Sequence, residues 1–208
     1  MFEEISFLGI GLILGIVWGF TPGPLFTLVI SETLKYGPKE GMKVGIAPLL
    51  TDIPVIILSF FVVFALSNIN FLLGIISVIG ALVMVYYGYE TISIKNIKVD
   101  LQNAKPHSIR KGVITNYLNP HMYVSHFTIT APIIVKAIKV NVFSPVLYIA
   151  GFMLTLVLSK VFLALVANKS RNFMNSKSYM YTLKFLGISL FVFAFLFFRD
   201  GLKYFKII

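Results

Sequence analysis

Phe20-Thr21-Pro22-Gly23-Pro24 interrupts an otherwise continuous apolar run from Ile5 to Ile30. Pro22 and Pro24 each remove a backbone donor and clash with the preceding turn, and Gly23 adds conformational slack. The stretch therefore predicts a helix broken in the middle of a membrane-length segment. Freed amides and carbonyls find no water in hydrocarbon, so such a break persists only against protein or beside a wet cavity. Broken membrane helices commonly line substrate sites in secondary transporters. The break is expected at the centre of a translocation path.

The rest of the composition agrees with a bilayer. The chain has 208 residues, of which 58% are hydrophobic and 12% charged, and its mean hydropathy is +0.90. Soluble domains average about 25% charged residues. The net charge of +10 sits in loops beside apolar runs, which fits membrane orientation and not a nucleic-acid partner. The absence of cysteine excludes disulfides, thiolate metal sites and a Cys nucleophile. Met1-Phe2-Glu3-Glu4 lacks the basic region of a signal peptide, and the run behind it is too long for one. A retained first span is expected.

About 20 helical residues cross a hydrocarbon layer of ~30 Å, and six apolar segments reach that length: 5–30, 44–66, 71–92, 112–135, 145–167 and 183–202. The expected fold is an all-α polytopic membrane protein of six transmembrane helices, a single domain over 1–208. Segments two and three should form a hairpin about the uncharged turn Ser67 to Asn70. Connection one (Glu32 to Lys43), connection three (Ile94 to Lys111) and connection five with Lys184 hold three, five and four Lys or Arg, twelve in all. The opposite side, counting Lys136 with connection four and the tail from Arg199, holds five. The excess places the odd-numbered connections in the cytoplasm and both termini outside the cell membrane.

Several residues recur at one offset. Pro24 and Pro132 are 108 apart, as are Asp52 and Lys160, while Pro38 and Pro145, and Gly80 and Gly187, are 107 apart. Halves 1–100 and 108–208 would then hold three spans each, and an odd number inverts the second half. A 3+3 inverted repeat with broken helices 1 and 4 is a common transporter plan. Gly11, Gly15 and Gly19 form a small-xxx-small stripe for close helix packing, within one subunit or between copies in a homo-oligomer.

Asp52 is the one carboxylate well inside a predicted span. An ionised carboxylate in lipid is costly, so it must face a cavity or a partner. It can bind a cationic substrate group, take up a proton, or pair with Lys160, the matching intramembrane cation. Pro48 and Pro54 on either side of it suggest an opened helix. Lys160 can instead snorkel toward an interface. Asn119-Pro120 breaks segment four as Pro22-Gly23-Pro24 breaks segment one. Asn116, three residues earlier, shares a helical face with Asn119. Their amides can coordinate a zwitterion or cap carbonyls freed by Pro120. A half-helix starting near Pro24 or Pro120 presents amides and a positive dipole end to a carboxylate.

His121 and His126 are five apart, poor spacing for a metal, and fit packed or interfacial roles better. Tyr86, Tyr87 and Tyr89 fit an interfacial aromatic belt. No phosphate-binding glycine loop, nucleophile elbow or paired carboxylates occur, so neither an enzyme nor an ATP-driven pump is expected, and no cofactor or metal.

These motifs resemble those of the LysE/RhtB family of amino-acid exporters. The likeness rests on Thr21-Pro22-Gly23-Pro24, Tyr36-Gly37-Pro38-Lys39-Glu40-Gly41, Gly45 leading to Asp52, and Gly80-Ala81 with Tyr86-Tyr87-Gly88. It resumes at Arg110-Lys111-Gly112, Asn116, Asn119-Pro120 and Pro132. The family usually has a lysine after Asn-Pro, where this chain has His121. The resemblance implies six spans and efflux of amino acids or similar small molecules, driven by the proton gradient. Relatives also export lysine and arginine, homoserine and threonine, or cadmium, and a shared fold does not choose among them. A passive channel for small cations and a non-transporting scaffold are the competing classes.

Overall fold

The computed structural model describes residues 2–65, 70–93, 106–173 and 176–206. Helix α1 (Phe2–Phe20) is followed after three residues by α2 (Pro24–Tyr36), and α3 (Pro38–Ala65) and α4 (Asn70–Ile92) come next. The second half contains α5 (Ser108–Tyr117), α6 (Pro120–Ser125), one π-helical turn (His126–Thr130) and α7 (Ala131–Val140). It ends with α8 (Phe143–Phe173) and α9 (Ser176–Tyr204). Most of the hairpin turn expected at Ser67 to Asn70, and much of connection three, lie outside the described residues.

The chain breaks where its prolines dictate. Pro24 is the first residue of α2, where a missing N–H is no loss. The axes of α1 and α2 differ by 62°. Thr21 turns its hydroxyl back to the Val17 carbonyl at 2.7 Å, satisfying one group orphaned at the end of α1. The second break falls at Leu118-Asn119, and Pro120 opens α6 in the same N-terminal position.

Asp52 lies in a helix that does not open. Helix α3 runs unbroken through Pro48 and Pro54, contrary to the expectation from its two prolines. A proline frees the carbonyl four residues earlier. For Pro54 that is Leu50, whose oxygen accepts a hydrogen bond from the Tyr117 hydroxyl of α5 at 3.1 Å. The neighbouring helix thus satisfies the defect, and α3 has no reason to unwind. Nor does Lys160 interrupt α8, which is continuous over 31 residues.

Close packing follows the glycines. A Cβ on Gly11, Gly15 or Gly19 would strike the backbone or side chains of Tyr148, Phe152, Thr155, Leu156 or Ser159 on α8. The stripe therefore seats α1 against α8 within one subunit. Thr155 crosses this seam, donating to the Leu12 carbonyl at 2.9 Å. Gly88 and Gly187 bring α4 and α9 together in the same way. Beside the first seam, Ile56, Ile134, Tyr148, Phe152, Met153 and Leu156 form a buried cluster packed on Trp18.

Among the described residues, Pro38–Phe61, Phe143–Ser170 and Lys184–Tyr204 are long and apolar enough to cross a membrane, and the bent α1–α2 pair meets the same test when its two helices are taken together, as a broken span or a re-entrant loop. Their outer faces carry exposed Phe61, Leu154, Leu158, Phe162, Phe195 and Phe198. Acyl chains can cover such faces at no hydrophobic cost. This is a multi-pass membrane protein.

Connection one is not the polar loop its charges suggest. Apart from Gly37, which stands between α2 and α3 at φ 97°, it is helical, and Glu32, Thr33, Leu34 and Lys35 are all buried.

Candidate functional site

The two breaks face one another across a cavity of about 450 Å³. Thr21, Pro22, Gly23, Pro24, Leu25 and Phe26 line it from the first break, and Asn116, Asn119, Pro120 and His121 from the second. Helix α3 contributes Pro48 and Asp52, the π-turn His126, and α8 Lys160. Every residue singled out from the sequence for this site thus reaches one cavity. Trp18, Met122, Leu156, Phe193, Leu196 and Phe197 supply apolar wall.

Asp52 is 5% exposed and heavily engaged. Its Oδ1 accepts from the Thr51 hydroxyl at 3.0 Å and from the Asn116 amide, which also donates to Thr51 at 2.6 Å. The Thr51 hydroxyl lies 3.1 Å from the Ala47 carbonyl as well. Asn116 is therefore committed to Asp52, tying α5 to α3. Two hydrogen bonds to Oδ1, braced by the one between their donors, fix the carboxylate's orientation, with Oδ2 left on the other side.

That side belongs to His126, which the sequence spacing suggested was a packing residue. Its ring is fully buried, with Nε2 3.5 Å from Asp52 Oδ2. The distance suits an ion pair if the imidazole is protonated, but Nε2 lacks hydrogen-bond alignment in this arrangement. Its Nδ1 lies 3.1 Å from Thr130 Oγ1, and the edges of Trp18 and Phe152 hold the ring at centroid distances of 5.4 and 6.0 Å. Single π-turns recur at functional sites; here the π-turn begins at His126 itself. The local signal was the run His126 to Thr130, but its partner on α3 is visible only in three dimensions.

Asn119 takes the capping role. Its Oδ1 accepts from the His121 amide at 3.1 Å as the N-cap of α6. Lys160 is 3% exposed. It forms no hydrogen bond or ion pair with Asp52 or any other described residue, and its ammonium stands 5.5 Å from the centre of the Phe26 ring. The pairing with Asp52 considered from the sequence is not formed, although both line the cavity.

A second charged cluster escaped the sequence reading. Glu32 on α2 has a fully buried side chain, 3.2 Å from the Lys111 ammonium and 3.8 Å from that of Lys35. Ser108 donates to its other oxygen at 2.8 Å. Lys35 also donates to Thr91 on α4 at 3.0 Å. The cluster fastens α2 to α4 and α5 at a distance in sequence that no local pattern reports.

No curated protein and no solved structure matches the chain. A family model does, the LysE type translocator, over residues 16–201 of 208. The match covers both breaks, Asp52, His126 and Lys160, and this chain belongs to the LysE type translocators, a family of membrane transporters.

Proposed function

We propose that the protein exports an amino acid or related small solute across the cell membrane by alternating access, driven by the proton gradient. Asp52 would carry the proton or hold a substrate ammonium. The observation that carries this reading is the position of Asp52. It is a nearly buried carboxylate opening on a cavity framed by both helix breaks, the arrangement expected where irregular backbone lines a binding site. Family membership supports transport, and a cavity of about 450 Å³ with a few polar groups set in an apolar wall supports a small solute.

The proposed architecture is six spans in a 3+3 inverted repeat, with both termini outside. A twofold relating the halves requires the contact of span one with span five to have a mate between spans four and two. A contact between spans three and six maps onto itself and is compatible with the same twofold. The α1–α8, α3–α5 and α4–α9 packings supply these three relations. The equivalent positions Asp52 and Lys160 also line the same cavity.

The test is uptake into proteoliposomes under an imposed pH gradient, with labelled L-leucine, L-threonine, L-lysine and cadmium. Saturable, gradient-dependent movement of an amino acid is expected, and Asp52→Asn should abolish it while the protein still inserts. Flux that ignores the gradient and does not saturate would identify a channel. Normal uptake by a well-inserted Asn variant would remove Asp52 from the mechanism.

A further inference from the structure

We infer that the first turn of α2 and the Lys160 ammonium together form the subsite that seats the carboxylate of the transported solute. The inference deepens the exporter reading and rests on it for the word transported; the site itself rests on geometry.

Helix α2 begins at the break without a cap. Gly23, the N-cap, has no side chain to bond the first turn, and Pro24 has no N–H. The Thr27 amide reaches the Gly23 carbonyl at 2.9 Å, but the Leu25 and Phe26 amides find no acceptor among the described residues. Both residues line the cavity. An uncapped helix start carries a partial positive charge, and its free amides make a ready anion site.

Lys160 supplies an independent second observation. It is a buried ammonium without a hydrogen-bond acceptor among the described residues, placed by its approach to the Phe26 ring at the third residue of α2. A buried charge is ordinarily paired. No carboxylate lining the cavity reaches it at hydrogen-bond or ion-pair distance, although Asp52 attracts it electrostatically across the cavity. Asp52 is held by Thr51 and Asn116 with His126 alongside, and Asp200 is contacted by Arg199 at 3.4 Å. The missing partner is an anion from outside the chain, and a carboxylate accepts both from the paired amides and from the ammonium.

Gly23 fits the same picture. Its φ of −177° is open to any residue, and a Cβ there would meet no atom within 4 Å. Neither strain nor a clash demands glycine at this position, while a side chain would take up space beside the free amides. With the carboxylate seated here, the ammonium of an α-amino acid is left to the Asp52 carboxylate on the wall of the same cavity.

The experiment is binding to the purified protein in nanodiscs, without any gradient, of L-leucine, L-threonine and L-lysine and of their primary amides. The amides keep the ammonium and side chain but lose the negative charge. At least one acid should bind, with its amide weaker by about tenfold or more, the scale of one charge-assisted hydrogen bond. Lys160→Met should weaken the acid by a similar factor and leave the amide unchanged. Gly23→Ala, which meets no atom in the protein, should weaken the acid without lowering the unfolding temperature of the unliganded protein. Equal binding of acid and amide, wild-type affinity in Lys160→Met, or binding of none of the acids would each overturn the site. A protein that transports an amide as well as its acid would remain a transporter without this site, so the two readings fail separately.

Discussion

The buried cluster about Glu32 predicts a measurable coupling between α2 and α5. Glu32→Gln keeps the shape of the side chain and removes its charge. At 3.2 Å from Lys111 and an effective dielectric of ~20, the direct attraction is about 5 kcal/mol. Lys35, at 3.8 Å, adds a comparable attraction. Most of this is offset by desolvation, because the Glu32 side chain has no exposure and that of Lys35 only 1%. Removing one member leaves the others buried without that partner, so Glu32→Gln should cost about 3–5 kcal/mol. Lys111→Met should cost less, since Lys111 is 13% exposed and Glu32 keeps Ser108 and Lys35. In the double variant the penalty for the uncompensated charge is partly relieved. Its loss should therefore fall short of the sum of the single losses by about 2 kcal/mol. Equilibrium unfolding in mixed micelles measures all four proteins. Losses that add to within about 0.5 kcal/mol would mean the two residues act independently, and the cluster would not join the helices.

Gly37 holds φ 97° between α2 and α3. With ψ 173° outside the left-handed helical region, Gly37→Ala and Gly37→Asn should both destabilise, by about 1–3 kcal/mol, as read from the unfolding midpoint. Gly15→Leu drives a side chain into Phe152 and Thr155; loss of the folded monomer on size-exclusion chromatography is expected, with Ile13→Leu on the exposed face as the neutral control. His126→Phe keeps the ring among Trp18 and Phe152 but removes the nitrogen facing Asp52. Gradient-driven uptake in proteoliposomes should drop, while His107→Ala at the exposed start of α5 leaves it unchanged.

What could be read from the sequence divides along the range of the forces involved. Both breaks were legible because their signals are local, two prolines about a glycine at 22–24 and an Asn that can cap the helix opened by Pro120. Asp52 and Lys160 were legible because a lone charge in an apolar run needs a cavity or a partner wherever the run lies. The unbroken course of α3 was not, since it depends on the Tyr117 hydroxyl bonding Leu50 from another helix. His126 was passed over because the spacing that argued against a metal site says nothing about Asp52 on α3. Glu32 looked like the start of a loop because Lys35, Gly37, Pro38 and Lys39 follow it. Its true partners, Ser108 and Lys111, came from a stretch that also read as a loop.

The two breaks, alike in sequence, differ in what they leave unsatisfied, and that difference bears on transporter against scaffold. At the second break Asn119 caps the new helix through His121, and Asn116 is spent on Asp52 and Thr51. A scaffold that merely bends its helices would treat the first break likewise. There the Thr21 hydroxyl does satisfy Val17 at the end of α1. The start of α2 is left bare, with a glycine cap, two amides lacking acceptors among the described residues, and a buried ammonium close to the Phe26 ring. A Ser or Asn in place of Gly23 would offer the amides an acceptor, so keeping glycine there costs the helix start about a few tenths of a kcal/mol. A bend serving only shape gives no reason to carry that cost. A bend that must receive a negatively charged group does, because the groups left open in the empty protein are the ones the solute completes.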